Sequence, residues 1–244
     1  MMHRLPRLSA RTVAALLLTL VPVSGVMRTP TVRTSVASGG VVAKPLTRRA
    51  AEREAVKAEV RRRLAERGSD TYINEMLAQR DSALARWPDR EGRPLTLWIQ
   101  AAPAIDDWTD EYVSSVRAAI DNWDSLELPV RFAFAVDSAD ADVHITFIDQ
   151  FDEAISGRTK WERDDAWWIT DADIVLAVHH RSGPALDVDA MRALALHEIG
   201  HLLGLDHTED ATSIMAPRVR VRSLSDADRA TVRLLYTLPP GGVR

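Results

Sequence analysis

The chain has 244 residues, 46% of them hydrophobic and 27% charged, which suits one sizeable core with extensions and gives no sign of a second. Its net charge of −4 conceals a split: residues 48–67 carry +4 and residues 68–244 carry −14, and an acidic body of that kind argues against a nucleic-acid binder. There is no cysteine, so disulfides and a lipid-modified cysteine are excluded.

Residues 1–25 read as targeting. His3, Arg4, Arg7 and Arg11 make a basic start, Thr12 to Val23 an apolar run, and Val23-Ser24-Gly25 a small-residue cleavage site. The run contains Pro22 and is short for a membrane span, so the expectation is a cleaved export signal, a secreted or periplasmic product and no stable membrane anchor. Residues 26–47 carry Thr, Ser, Gly and Pro without periodicity and read as a flexible linker.

Residues 48–88 read as an N-terminal helical segment. Ala51, Ala55, Ala58 and Leu64 recur among charges that suit a solvated face. Gly68-Ser69-Asp70 breaks the pattern, and Asp70 is the expected cap of a second helix carrying Ile73, Met76, Leu77 and Leu84. Trp87-Pro88 ends it, and residues 89–240 form the main domain.

Within that domain Leu95-Thr96-Leu97-Trp98-Ile99 predicts a strand, and residues 109–126 an amphipathic helix with Val113, Val116, Ile120 and Trp123 on one face. Two further strands are expected at 130–136 and 143–148. Strand, helix, strand, strand predicts a mixed, mostly parallel twisted sheet, an α/β arrangement with the functional site along one edge. Ile174, Val175, Leu176, Ala177 and Val178 are the expected edge strand. His144 alternates with Val143 and Ile145 and reads as a structural histidine. His179 and His180 end the expected edge but point to opposite faces, a poor chelating pair. Trp161, Trp167 and Trp168 read as loop packing.

The main chemical signal is His197-Glu198-Ile199-Gly200-His201-Leu202-Leu203-Gly204-Leu205-Asp206-His207. Four residues apart on a helix, His197 and His201 project from one face and can share one small cation. Gly204 can take the left-handed conformation that ends the helix, so the chain turns and brings His207 to the metal. Three imidazoles leave a fourth position open for water, as a catalytic zinc requires, and Glu198 beside them is placed to act as its general base. Leu196, Ile199 and Leu203 recur at core spacing on the same helix.

This stretch resembles the extended zinc signature of the metzincin peptidases, and most of all their matrixin branch. Ser213-Ile214-Met215-Ala216-Pro217 resembles the Met-turn, which implies that Met215 lies beneath the three histidines. Leu224-Ser225-Asp226-Ala227-Asp228 and Leu234-Leu235-Tyr236 look like the start and end of the family's last helix, and residues 141–147 and 172–176 look like its third and fourth strands. The resemblance implies an α+β zincin-like fold, one catalytic Zn2+, and a substrate peptide held antiparallel on the edge strand with Ala216 and Pro217 in the pocket wall.

It also implies that Asp228 bonds the Met-turn backbone. Ala216 stands where many matrixins carry tyrosine, and Ala227 where they carry the first of two aspartates. A structural Ca2+ is possible in the family, but Asp137, Asp140, Asp142 and Asp152 match no supporting spacing. Without a cysteine, a propeptide cysteine cannot hold the zinc. The expectation is a monomeric, exported zinc endopeptidase acting on protein or peptide substrates. The alternatives are a zinc-dependent binding protein without turnover and a zinc amidase or deacetylase acting on a non-protein amide.

Overall fold

In the computed structural model the described residues are 48–90, 92–181 and 183–243; the expected export signal and linker lie outside them. Helix α1 (Arg48–Arg67) is ordered by pairs such as Arg62 with Glu59 and Glu66, and buries only Val60 and Leu64. Helix α2 (Ile73–Gln79) buries Ile73, Met76 and Leu77, but its N-cap is Tyr72, with no side-chain capping bond, and not Asp70. Leu84 is not helical either. The chain turns through Asp81 and Ser82, both at positive φ, into β1 (Ala83–Leu84), which pairs with β7 (Gly241–Gly242) near the other end of the domain.

The central sheet is built from β2 (Leu95–Ile99), β3 (Phe132–Phe134), β4 (Val143–Ile148), β5 (Gly157–Arg163) and β6 (Ile169–Ala177), in the order β3-β2-β4-β6-β5. All pairings are parallel except the antiparallel pair of β5 with β6. The sheet is therefore mixed with an antiparallel edge, as the fold class requires.

The edge is β5, however, and residues 174–178 are not on it. Ile174, Leu176, Ala177 and Val178 are buried and Val175 half-buried, because β6 lies between β4 and β5. A strand covered on both faces and both edges reads as a nearly continuous apolar run, whereas Gly-Arg-Thr-Lys-Trp-Glu-Arg carries the charges that keep an exposed edge from pairing at random. Trp161 belongs to this edge strand, while Trp167, at positive φ, and Trp168 lie in the β5–β6 turn.

Helix α3 (Glu111–Asp124) connects the parallel pair β2–β3 and turns Val116, Ile120 and Trp123 inward. It packs on α4 (Val188–Leu202), where the Trp123 indole donates to the Leu196 carbonyl at 3.0 Å. Asp187 caps α4 by accepting from Ala190 N–H, and the helix is apolar on most sides because it runs through the core. Helix α5 (Asp226–Thr237) starts with a capping box between Ser225 and Asp228.

Candidate metal centre

One turn apart on α4, His197 and His201 project side by side. The helix ends at Gly204, whose φ of +98° reverses the chain, and a side chain here would strike the Ala85 carbonyl at 2.2 Å. That reversal brings His207 back. The three Nε2 atoms lie 3.1, 3.2 and 3.3 Å apart. A metal held tetrahedrally at zinc–nitrogen lengths sets its ligand atoms about 3.3–3.4 Å apart, so the triangle matches zinc.

Both ligands on α4 are fixed in the tautomer this needs. His197 Nδ1–H donates to the Ile214 carbonyl at 2.7 Å and His201 Nδ1–H to the Leu205 carbonyl at 2.9 Å, so each Nε2 lone pair faces the centre. Burial first, then neighbouring charges, holds His197 down to about 4 and His201 to about 3, and burial lowers His207 too; all three are therefore neutral donors near pH 7. Among the described residues, no other group of three or more His, Cys, Asp or Glu side chains gathers in this way. An all-imidazole set fits a borderline-soft ion better than calcium or magnesium.

His201→Ala should release the metal, which elemental analysis would read as a drop from close to one zinc per chain to near none. Undiminished zinc in that variant would sink the assignment.

Met215 packs against α4 at Gly200, between the two helical histidines. Its Sδ occupies the space where a side chain at Gly200 would sit, 2.3 Å from that Cβ, so the glycine between the two helical histidines makes room for the Met-turn. Asp228, fully buried, accepts from Ile214 N–H at 3.1 Å and Ser225 N–H at 2.7 Å, from the Ser213 and Ser225 hydroxyls, and from Tyr72 Oη at 3.2 Å.

Glu198 faces the edge strand. A Cβ at Gly157 would lie 2.3 Å from its Oε1, and the Thr159 hydroxyl reaches its Oε2 at 2.7 Å and its backbone carbonyl at 3.0 Å. Burial raises the carboxyl to about 7 against the hydrogen bonds from Thr159, and a dication at the histidines would pull it back down. Gly157 and Thr159 escape a sequence reading, because only the register of β5 brings them to α4.

A cavity of about 630 Å³ opens on all three histidines and Glu198 and is walled by Leu194, Pro217 and residues 218–222. Pro217 therefore lines it, while Ala216 is buried outside its lining. A second cavity, about 750 Å³, continues past His201 along Thr159–Glu162. Together they follow the free edge of β5. His144 instead bonds the Ser138 carbonyl at 2.9 Å, and His179 sits between Asp107 and Asp149. His180 bonds Ser156 at 3.0 Å on the cavity rim. Asp142 is engaged by Thr96 and Arg90, and Asp137 by Ala139 N–H.

The matrixin family model matches residues 86–237, the span that holds the sheet, α3, α4, the histidines, the Met-turn and α5. This chain belongs to the matrixin family. Relatives include Metalloendoproteinase 1-MMP of Arabidopsis thaliana, 31% identical over 164 residues, covering 58% of this chain and 43% of that protein. Metalloendoproteinase 5-MMP of the same plant is 29% identical over 178 residues, 64% and 47% of the two chains, and Metalloendoproteinase 1 of Glycine max 33% over 88 residues, 34% and 27%. The chain thus spans less than half the length of these relatives. The matrixin match begins at Arg86, so α1, α2 and β1 lie before it.

Proposed function

We propose that this matrixin is an exported, monomeric zinc endopeptidase whose general base is Glu198. The observation that carries the reading is the convergence of three Nε2 atoms at 3.1–3.3 Å beside a buried carboxylate, with an unpaired strand edge running past both. Zinc bound at His197, His201 and His207 would supply a Lewis acid and lower the pKa of water. Glu198 is placed to take a proton from an attacking water and to hand it to the departing amine. The main chain of β5, open on the side away from β6, orients an extended peptide by strand addition. That edge favours a peptide over a small non-protein amide. Export rests on the basic, apolar and small-residue order of residues 1–25.

A peptide library incubated with the purified protein, with and without a chelator, tests the reading; cleavage that the chelator leaves untouched, or no cleavage at all, overturns it. The expected selectivity follows from the walls of the first cavity. A peptide added antiparallel to β5 lays the residues after the cut over the Gly157 end, where exposed Arg218 and Arg220 line the cavity and Glu198 is the one acidic lining side chain among the described residues. Cleaved peptides should be enriched in Asp and Glu on that side. Arg218→Glu with Arg220→Glu should shift the preference, read as a ratio of kcat/KM for acidic against neutral peptides, by about tenfold. An unchanged ratio would remove these arginines from recognition.

A further inference from the structure

We propose that α2 and β1 form a fixed outer bracket of the metal centre, with Arg80 as the positioning residue for the third ligand, His207. The inference rests on the zinc-centre reading but not on peptide cleavage.

The turn that carries His207 leaves α4 with carbonyls that no helix satisfies. Side chains from one short stretch, residues 75–80, meet them. Arg80 Nη1 donates to the Gly204 carbonyl at 2.9 Å and Nη2 to the Leu205 carbonyl at 3.4 Å, while its Nε pairs with the Asp206 carboxylate. Gln79 Nε2 donates to the His207 carbonyl at 3.1 Å, and Glu75 accepts from Glu209 N–H at 3.0 Å. The Leu205 carbonyl that Arg80 reaches also receives His201 Nδ1–H at 2.9 Å, so Arg80 is one shared acceptor from the second ligand and one peptide from the third. Its guanidinium stacks on Trp161 of the edge strand at 4.9 Å, which ties the metal turn to the substrate side.

A guanidinium suits this place because it presents five donors in a rigid fork, and an ammonium does not. The Arg80 side chain is only 13% exposed, so the pairings offset a real desolvation.

The bracket itself is anchored in the core. Ile73, Met76 and Leu84 are fully buried, Tyr72 reaches Asp228, and the Trp87 indole donates to the Leu202 carbonyl at 2.9 Å. β1 pairs with β7, and Val243 N–H donates to the Ser82 carbonyl at 2.8 Å. Of the described residues before the matrixin match, Arg80 alone lines either cavity beside the histidines, so α2 and β1 grip the turn from outside and do not plug the cleft. Loss of the segment should loosen His207, not open the site.

The test measures zinc affinity of the full chain by competition with a chromogenic chelator, alongside its melting temperature and the kcat and KM for a cleaved peptide. Arg80→Met should weaken zinc binding by roughly 10- to 100-fold, the usual effect of losing a partner behind a ligand, and lower kcat more than it raises KM. Arg80→Lys should recover only part of the affinity, because it restores charge without the fork. If Arg80→Met fails to fold, Gln79→Leu serves, since Gln79 is exposed and touches only the His207 carbonyl in this turn; a several-fold loss of zinc affinity at an unchanged melting temperature is expected. Parent-like zinc affinity in folded Arg80→Met or Gln79→Leu would overturn the proposal. A full chain that binds zinc but cleaves no peptide would defeat the peptidase reading alone, and the bracket would then be judged by zinc affinity.

Discussion

Glu198→Ala is expected to leave zinc in place and abolish hydrolysis, with kcat falling by roughly 100- to 10,000-fold, the range for loss of a general base. Binding and chemistry separate here because the metal is held by imidazoles whose supports are elsewhere, at the Ile214 and Leu205 carbonyls. The Glu198 carboxylate instead touches Thr159 and Gly157 on β5. Removing it relieves a buried carboxylate without disturbing either tautomer. The zinc content by elemental analysis should stay near one per chain, while peptide turnover disappears. A variant that cleaves at the parent rate would require a different base, and one that loses zinc would mean that Glu198 supports the ligands. KM should change little, because the edge of β5 and the wall of residues 217–222 still bind the peptide.

The metal centre was legible because its information is local. His197, Glu198, His201, Gly204 and His207 fall within eleven residues, and helix geometry with one left-handed glycine is enough to bring the imidazoles together. Most of the fold was legible for the same reason: β2, α3 and β4 follow the periodicity of 95–99, 109–126 and 143–148. The edge strand was not. Charges at Arg158, Lys160, Glu162 and Arg163 suppress the apolar alternation that marks a strand, while the buried run 174–178 looked like the stronger edge although it is interior. Leu84 reads as helical in the sequence because its pairing partner, Gly241, lies far along the chain, and such pairing leaves no local trace. Arg80 and Thr159 share that limit, since each acts on α4 or its turn only through the tertiary register.

Asp228→Ala should be the most damaging change away from the ligands. The carboxylate is fully buried and collects five donors, two of them backbone N–H groups, from Ile214 and Ser225. Alanine leaves the buried Ile214 N–H and the half-buried Ser225 N–H without this partner, at about 1–3 kcal/mol for the buried one and less for the other, and removes the reciprocal half of the α5 capping box. A total near 3–5 kcal/mol is expected, which for a domain of this size lowers the melting temperature by roughly 10 °C. Asparagine should keep part of this: its amide oxygen, in the place of Oδ2, would still accept from the Ile214 and Ser225 N–H groups, and its NH2 would face the Tyr72 and Ser213 hydroxyls, which can accept, so Asp228→Asn should fall closer to the parent than alanine does. The effect should also reach the metal. Ile214 donates its N–H to Asp228 and its carbonyl accepts from His197 Nδ1–H, so one residue links the buried carboxylate to the first ligand. Zinc affinity should therefore drop by roughly 10- to 100-fold in the fraction that remains folded at low temperature. Thermal melts and chelator competition check the two effects separately. A melting temperature within about 2 °C of the parent would mean that the Met-turn and α5 hold together without the carboxylate.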